Sequence, residues 1–170
     1  VCSADLTSNG GGAAAAVNVA ENATAVTTVT ATDADLPAQT LTYSISGGAD
    51  AAKFTINAST GALSFAAAPD FEAPTDVGAN NVYDVIVHGS DGTLSDTQAI
   101  AVTVTAANDN TPVITSNGGA ATAAVSVAEN ATAVTTVTAT DADLPAQTLT
   151  YSISGGADAA KFTINASTGA

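Results

Sequence analysis

One stretch of this 170-residue chain occurs twice without a single change: Ala20–Ala62 recurs as Ala128–Ala170, 108 positions later. Weaker similarity extends upstream, because residues 7–11 and 115–119 both read Thr-Ser-Asn-Gly-Gly. A period of this size matches one small domain and is too long for the coil of a solenoid. The sequence therefore predicts two copies of one domain, in residues 1–110 and, incompletely, in residues 111–170.

The charge of the chain is strongly acidic. It has 16 Asp and Glu residues against two Lys and no Arg, which gives a formal net charge of −14. A nucleic-acid-binding surface needs clustered basic residues, and an anionic membrane surface would repel this chain for the same reason. Cations are the partners that this composition favours, with general solubility as the simpler interpretation.

The N-terminal end leaves several interpretations open. Cys2 is the only cysteine, so these residues form no intrachain disulfide, and its thiol is free, lipid-modified or in an intermolecular disulfide. Residues 1–6 do not match residues 109–114, which indicates either the first repeat of an array or an engineered start. No apolar run approaches the roughly 20 residues that span a bilayer.

Alternation of apolar and polar residues predicts strands throughout the first copy. In residues 40–46, for example, Leu41, Tyr43 and Ile45 alternate with Thr and Ser. Turn residues recur about every 8 to 12 positions, and no segment has helical periodicity. The predicted strands are residues 15–20, 25–32, 40–46, 53–57, 62–65, 82–87 and 98–105. The predicted fold class is all-β, a seven-stranded Greek-key β-sandwich of immunoglobulin-like shape.

Short motifs follow one another along the first copy. They include Val-x-Val-x-Glu-Asn at 17–22, Asp-x-Asp at 33–35, Asp-Phe-Glu at 70–72, Ser-Asp-Gly at 90–92 and Asn-Asp-Asn-x-Pro at 108–112. In this order they resemble a cadherin repeat, and the tandem copy resembles the cadherin-like repeats of long bacterial surface or secreted proteins. The resemblance covers the first copy and all that is present of the second. It implies an extracellular domain that binds calcium.

The resemblance also implies which residues bind calcium. In that family, acidic groups from the end of one domain, from the linker and from the start of the next domain converge on several calcium ions. The matching junction residues are Glu21, Asp70, Glu72, Asn108, Asp109, Asn110, Asp141 and Asp143. A weaker group would serve an incoming junction and consists of Asp33, Asp35 and Asp91.

The residue types suit calcium independently of the resemblance. Calcium takes about six to eight oxygen ligands, many of them carboxylates. The junction group contains six carboxylates, which would repel one another without a cation. Magnesium requires tighter octahedral geometry, and zinc prefers His and Cys, of which the chain has one each. Calcium is therefore the predicted cofactor.

Two departures from the family pattern affect this prediction. Ala106 stands where the linker of the family usually begins with Asp. The equivalent of Asp91 in the second copy would be residue 199, which lies beyond the sequence. We therefore expect one of the ions to bind weakly or not at all. Glu129 would serve an outgoing junction that these residues do not include.

Simpler interpretations apply to many polar residues. Loop Asp and Asn residues commonly cap turns through local hydrogen bonds, which is the favoured interpretation of Asp33 taken alone. Four acidic residues match no motif and are interpreted as surface residues, namely Asp50, Asp76, Asp84 and Asp96. Four sequons are candidate glycosylation sites, at Asn22, Asn57, Asn130 and Asn165.

The second copy lacks the equivalents of the last three predicted strands. Such a partial sandwich has unpaired edges and an open core. We therefore expect either a continuing chain or a neighbouring molecule to complete it. Near-identical repeats of this kind favour a long repetitive surface protein or filament, whose partners are other copies of itself or neighbouring repeats.

No catalytic constellation occurs in the sequence, so an enzyme is not predicted. The predicted function is a non-catalytic structural or adhesive module of an extracellular protein, with calcium stiffening the junction between repeats. Two alternatives remain open. One is an adhesin domain that binds carbohydrate or another cell, and the other is a spacer in a secreted enzyme. A sugar-binding domain should expose aromatic rings, whereas the few aromatic residues here fall at core-like strand positions or in the Asp-Phe-Glu loop.

Overall fold

The structure is a computed structural model that describes residues 4–170, so the predictions for Cys2 fall outside the described residues. The chain divides into two compact units, Val1–Ala107 and Asn108–Ala170. Among the described residues, no helix has the length and apolar character that crossing a membrane requires.

Residues 4–170 contain eleven strands, four short 3₁₀ turns and no α-helix. The strands are β1 (Asp5–Leu6), β2 (Ala14–Ala20), β3 (Ala25–Thr28), β4 (Ala31–Thr32), β5 (Thr42–Gly47), β6 (Phe54–Ile56), β7 (Ala62–Phe65), β8 (Val82–Ser90), β9 (Ser95–Thr105), β10 (Val113–Ile114) and β11 (Ala139–Thr140). The 3₁₀ turns are Ser8–Gly10, Ala51–Lys53, Ser116–Gly118 and Ala159–Lys161.

Two sheets form the sandwich of the first unit. One sheet has the order β2-β9-β8-β5, in which β2 runs parallel to β9 and the other neighbours are antiparallel. The other sheet has the antiparallel order β3-β7-β6, and β1 pairs separately with β4. The all-β sandwich predicted from the sequence is confirmed.

The inward-facing residues of both sheets share one core. In β9, every second position from 98 to 104 is buried, as expected for a strand with one face on the core. The ring of Phe54 stacks on that of Phe65 with centroids 4.7 Å apart, and Tyr83 meets Phe65 edge-on at 5.1 Å. These aromatic rings are therefore core residues, as their strand positions predict.

Besides shifts of up to three residues at strand ends, as in β8 and β9, the strand prediction differs from the structure at two places in the first unit. The predicted strand 25–32 is divided into β3 and β4, because its two halves pair with different partners, β7 and β1. Between them, the N–H of Val29 donates to the carbonyl of Gly61 at 2.8 Å. Strand β1 is not predicted, since two residues are too few for alternation to show.

Two carboxylates predicted to lie on the surface are buried, so that prediction is wrong for both. Asp50 is 2% exposed and Asp76 is 7% exposed. The carboxylate of Asp50 accepts hydrogen bonds from the N–H groups of Val77 at 2.7 Å and Asp84 at 2.9 Å. It therefore ties the irregular segment 66–81 to β8.

We expect Asp50→Ala to lower the free energy of unfolding by about 3 kcal/mol, because two N–H groups lose a buried charged acceptor. Urea unfolding of the whole chain measures this change. Asp158→Ala is the matched control, since Asp158 has the same sequence neighbours but is exposed and contacts Lys161 at 2.6 Å. Equal losses in the two variants would contradict the role assigned to Asp50.

The second unit contains the same sequence block without the same sheets. Its described strands, β10 and β11, pair with each other. Some hydrogen bonds within the block are the same in both copies. The N–H of Val137 donates to the carbonyl of Gly169 at 2.8 Å, as that of Val29 does to the carbonyl of Gly61. The segments equivalent to β2, β3, β5 and β6 form no ladder, since their partners in the first unit are β7, β8 and β9, which have no equivalents within residues 108–169. The side of the second unit that corresponds to the core face of the first is an open apolar groove of about 1030 Å³. It includes Phe162, which is 51% exposed.

Candidate metal centre

Three carboxylates from two distant parts of the sequence meet near the end of β2. Glu21 directly follows this strand, while Asp70 and Glu72 lie in the irregular segment 66–81 after β7. One carboxylate oxygen of each residue lies within 4.8 Å of the other two. These residues are called the first acidic cluster.

Glu21 is the most buried member of this cluster, with 4% of its surface exposed. Its Oε2 accepts a hydrogen bond from the N–H of Phe71 at 2.8 Å, and its Oε1 accepts one from the N–H of Ala107. Its own N–H donates to the carbonyl of Thr105 at 3.0 Å. Glu21 therefore connects β2, the segment that carries Asp70 and the end of β9.

Asp70 also caps a local turn. Its Oδ1 accepts hydrogen bonds from the N–H groups of Glu72 at 3.0 Å and Ala73 at 3.1 Å. This is the simpler role expected of a loop aspartate. Because both bonds are made to Oδ1, capping this turn does not use Oδ2, and the two roles are compatible.

A second acidic cluster consists of Asp33, Asp35 and Asp91, whose carboxylate oxygens also lie within 4.8 Å of one another. Asp33 Oδ1 accepts the N–H of Asp35 at 2.9 Å, while Asp91 Oδ1 accepts those of Thr93 at 2.6 Å and Leu94 at 2.7 Å. The Oδ2 atoms of Asp33 and Asp91 are buried and have no hydrogen-bond partner. Buried oxygens without a partner are uncommon in folded proteins. A set of oxygen ligands with two such atoms fits a hard cation such as calcium.

The N–H groups of Leu94 and Thr93 lower the pKa of Asp91 below its ordinary value of 3.8, against the opposing effect of burial. The ionised form is thus stabilised by folding. The contribution of ionised Asp91 to the free energy of unfolding is present above pH 3.8, the ordinary pKa of the unfolded chain. It is lost as the pH falls through the lower pKa of the folded state.

In the presence of chelator, we expect Asp91→Asn to flatten the acid limb of the stability profile, because the amide does not titrate. Urea unfolding of the whole chain between about pH 6 and pH 2 measures this limb, within which the ordinary pKa of Asp lies. Asp84→Asn, at an exposed carboxylate on β8, is the control for the loss of one negative charge. An unchanged acid limb in Asp91→Asn would contradict the prediction.

Within the second unit, the linker residues contact the loop after β11. The backbone N–H and Nδ2 of Asn110 both donate to Asp143 Oδ1, each at 2.9 Å. Nδ2 of Asn110 also donates to Asp109 Oδ1 at 3.1 Å, and the N–H of Asp143 donates to Asp141 Oδ1 at 3.2 Å. The structure thus brings together four of the site residues predicted from the sequence.

Asp143 remains ionised although it is only 1% exposed. Burial opposes its ionisation, but hydrogen bonds from Asn110 and Asp109 outweigh burial and hold the pKa of Asp143 below its ordinary value. At neutral pH this position therefore presents a buried negative charge.

Gln147 is a site residue that the sequence analysis did not identify. Its Nε2 donates to Asp143 Oδ2 at 3.0 Å, and its Oε1 accepts Asn108 Nδ2 at 2.7 Å. The available signal was its position four residues after Asp143, in a block that occurs identically in both copies. A neutral side chain carries no charge pattern, so this signal is weak.

Residues 15–106 match the family model of the cadherin domain. Human protocadherin Fat 1 and rabbit (Oryctolagus cuniculus) cadherin-16 are 36% and 34% identical to this chain, each over 132 residues. These alignments cover 74% and 71% of the chain. The chain spans only 3% of the first protein and 15% of the second.

A solved structure of human protocadherin-24 EC1-2 has a similar fold. It superposes with a TM-score of 0.67 and 25% sequence identity, over 99% of this chain and 75% of that one. The match extends over both units of the chain, whereas the family model covers the first. The chain belongs to the cadherin family, whose cell-adhesion repeats are extracellular.

Proposed function

We propose that this chain is a non-catalytic calcium-binding module of a repetitive extracellular protein, and that calcium stiffens the junction between its repeats near residue 110. The observation that carries the proposal is the first acidic cluster, in which three carboxylates from two distant segments of the first unit have oxygens within 4.8 Å of one another. We further propose that the module belongs to a long surface protein or filament of the bacterial tandem-repeat type.

Electrostatics supports a cation at this cluster. Three carboxylates at such distances repel one another unless a cation balances their charge. The net charge of −14 offers few internal cations, since the only basic side chains besides one His are Lys53 and Lys161. A set made of oxygen ligands alone favours calcium over zinc. Magnesium requires a tighter octahedral arrangement and retains its waters more strongly than calcium does.

Chain continuity supports a shared site at the junction. The N–H of Ala107 binds Glu21, and three residues later the N–H of Asn110 binds Asp143. Ions held by ligands from both sides of this short linker would restrict its torsions. The proposed ligands are Glu21, Asp70, Glu72, Asn108, Asp109, Asn110, Asp141 and Asp143, with Asp33, Asp35 and Asp91 as a separate, weaker site.

Calcium titration of the whole chain tests the proposal. We expect heat of binding in isothermal titration calorimetry, and a stabilisation of about 2.7 kcal/mol per site at a calcium concentration one hundred times the dissociation constant. Asp109→Ala should weaken binding, whereas Asp84→Ala, at an exposed position on β8, should not. Magnesium at the same concentration should stabilise less.

Small-angle X-ray scattering tests the stiffening separately. Calcium should narrow the distribution of radii of gyration, and chelator should widen it again. Absence of binding heat would overturn the calcium site, whereas binding without any change in scattering would overturn only the stiffening.

The carbohydrate-binding alternative is less well supported. Sugar-binding surfaces generally need exposed aromatic rings, but in the first unit Phe54, Phe65 and Tyr83 are at most 5% exposed and pack in the core. Phe162 is 51% exposed, but it is the second copy's equivalent of the core residue Phe54. We propose instead that the partners are neighbouring repeats or other copies of the chain, because the two copies share an identical block of 43 residues.

A further inference from the structure

The segment that carries Asp70 and Glu72 is held by a neutral residue outside the cluster. Nδ2 of Asn81 donates to the carbonyl of Phe71 at 2.9 Å, and the N–H of Phe71 donates to Glu21 Oε2 at 2.8 Å. Phe71 stands between the two acidic residues in the sequence. The peptide groups on both sides of Phe71 are therefore fixed in orientation, and the carboxylates extend from the residues that these groups join.

Asn81 is itself fixed from several directions. Asp76, which is 7% exposed, accepts the N–H of Asn81 at 3.1 Å through Oδ1 and that of Asn80 at 3.0 Å through Oδ2. The carbonyl of Asn81 accepts the N–H of Val104, in β9, at 2.8 Å. Its φ of +62° lies in the left-handed region, which Asn adopts more readily than most residues. The amide of Asn81 thus extends from a rigid support.

We propose that Asn81 is a positioning residue for the first acidic cluster, and that its amide holds the Phe71 carbonyl so that Asp70 and Glu72 converge with Glu21 on one calcium ion. The inference rests on the proposed calcium-binding function. Asn81 carries no charge, and the proposed role rests on its Nδ2, which donates to the Phe71 carbonyl. Its effect is to order the ligands before the ion arrives, so that binding does not have to fix them.

A purely structural role for Asn81 makes a different prediction. In that case the hydrogen bond would contribute equally to the stability of the calcium-free and calcium-bound chain. A positioning role requires that losing the bond weakens calcium binding more than it weakens the calcium-free fold. The difference between the two stabilities therefore separates the roles.

The test is Asn81→Gly in the whole chain, because glycine keeps the positive φ and removes the amide. We expect the dissociation constant for calcium, from isothermal titration calorimetry, to rise about fivefold, the equivalent of one lost hydrogen bond. Asn80→Gly is the matched control. Its side chain accepts the N–H of Val82 at 3.0 Å and is not bonded to Phe71, so calcium affinity should stay unchanged.

A double variant shows whether Asn81 acts through the cluster. In a Glu72→Gln background, Asn81→Gly should cause a smaller loss of affinity than in the unsubstituted chain, because only Asp70 remains to be positioned and coupled residues are not additive. A fivefold loss in both backgrounds would overturn the inference. So would an unchanged affinity in Asn81→Gly, or equal losses of stability with calcium and with chelator. Absence of calcium binding by the unsubstituted chain would overturn the proposed function and this inference together.

Discussion

Gly48→Ala is expected to destabilise the first unit by about 4 kcal/mol, because it combines backbone strain with a steric clash. Gly48 has a φ of +107°, a backbone conformation that residues other than glycine rarely adopt. A Cβ atom there would lie 2.4 Å from the carbonyl oxygen of Asp84 and 2.5 Å from Cα of Val85. Both are backbone atoms of β8, which is paired on both sides and cannot move aside independently.

The clash and the strain can be separated experimentally. Gly10 also lies in the first unit and has a similar φ of +92°, but no atom lies within 4 Å of a Cβ added there. Gly10→Ala should therefore lose about 1–2 kcal/mol from strain alone. Urea unfolding of both variants in chelator measures the difference. If Gly48→Ala lost no more than Gly10→Ala, β8 would have to be more mobile than its two ladders indicate.

Glu21→Ala is expected to lower the free energy of unfolding by about 3 kcal/mol even without calcium, because the N–H groups of Phe71 and Ala107 lose their buried acceptor. In calcium, the loss should be larger, since the first acidic cluster also loses a ligand. Thermal and urea unfolding, each in calcium and in chelator, measure the two contributions separately.

The repeat supplies the control for this substitution. Glu129 has the same neighbours in sequence, Val-Ala before it and Asn-Ala-Thr after it, but its side chain is exposed. Glu129→Ala should leave both unfolding curves unchanged. A comparable loss at Glu129 would mean that the effect at Glu21 comes from local sequence, and the tertiary role described for Glu21 would be wrong.

Periodicity predicted the sandwich because it reports local burial. The alternating residues of β5, β8 and β9 identify strands without any knowledge of their partners, since each strand places every second side chain on the core. Alternation does not indicate which strands pair with each other. It therefore could not predict that β2 runs parallel to β9 or that β3 and β4 are separate strands.

Motifs predicted the acidic residues of the candidate site but not what holds them. Glu21 and Asp70 stand out by their place in an ordered series, whereas Asn81 is an uncharged residue in an irregular segment. The importance of Asn81 comes from one carbonyl, that of Phe71, which only the folded chain brings near. Asp50 illustrates the same limit, because its partners are backbone N–H groups distant in sequence, and any residue type except proline supplies such a group.

Because the duplicated block occurs in two structural settings, one copy serves as the control for the other. In the first unit the strands of this 43-residue block pair with β7, β8 and β9, whereas in the second unit they have no such partners among the described residues. Tyr43 and Tyr151 accept the N–H groups of Ala31 and Ala139 at 3.2 and 3.3 Å, so this local contact is the same in both. Amide exchange rates of equivalent residues in the two copies would therefore separate the protection given by local contacts from that given by the sandwich, at every position except the proline pair Pro37 and Pro145, and without a single substitution.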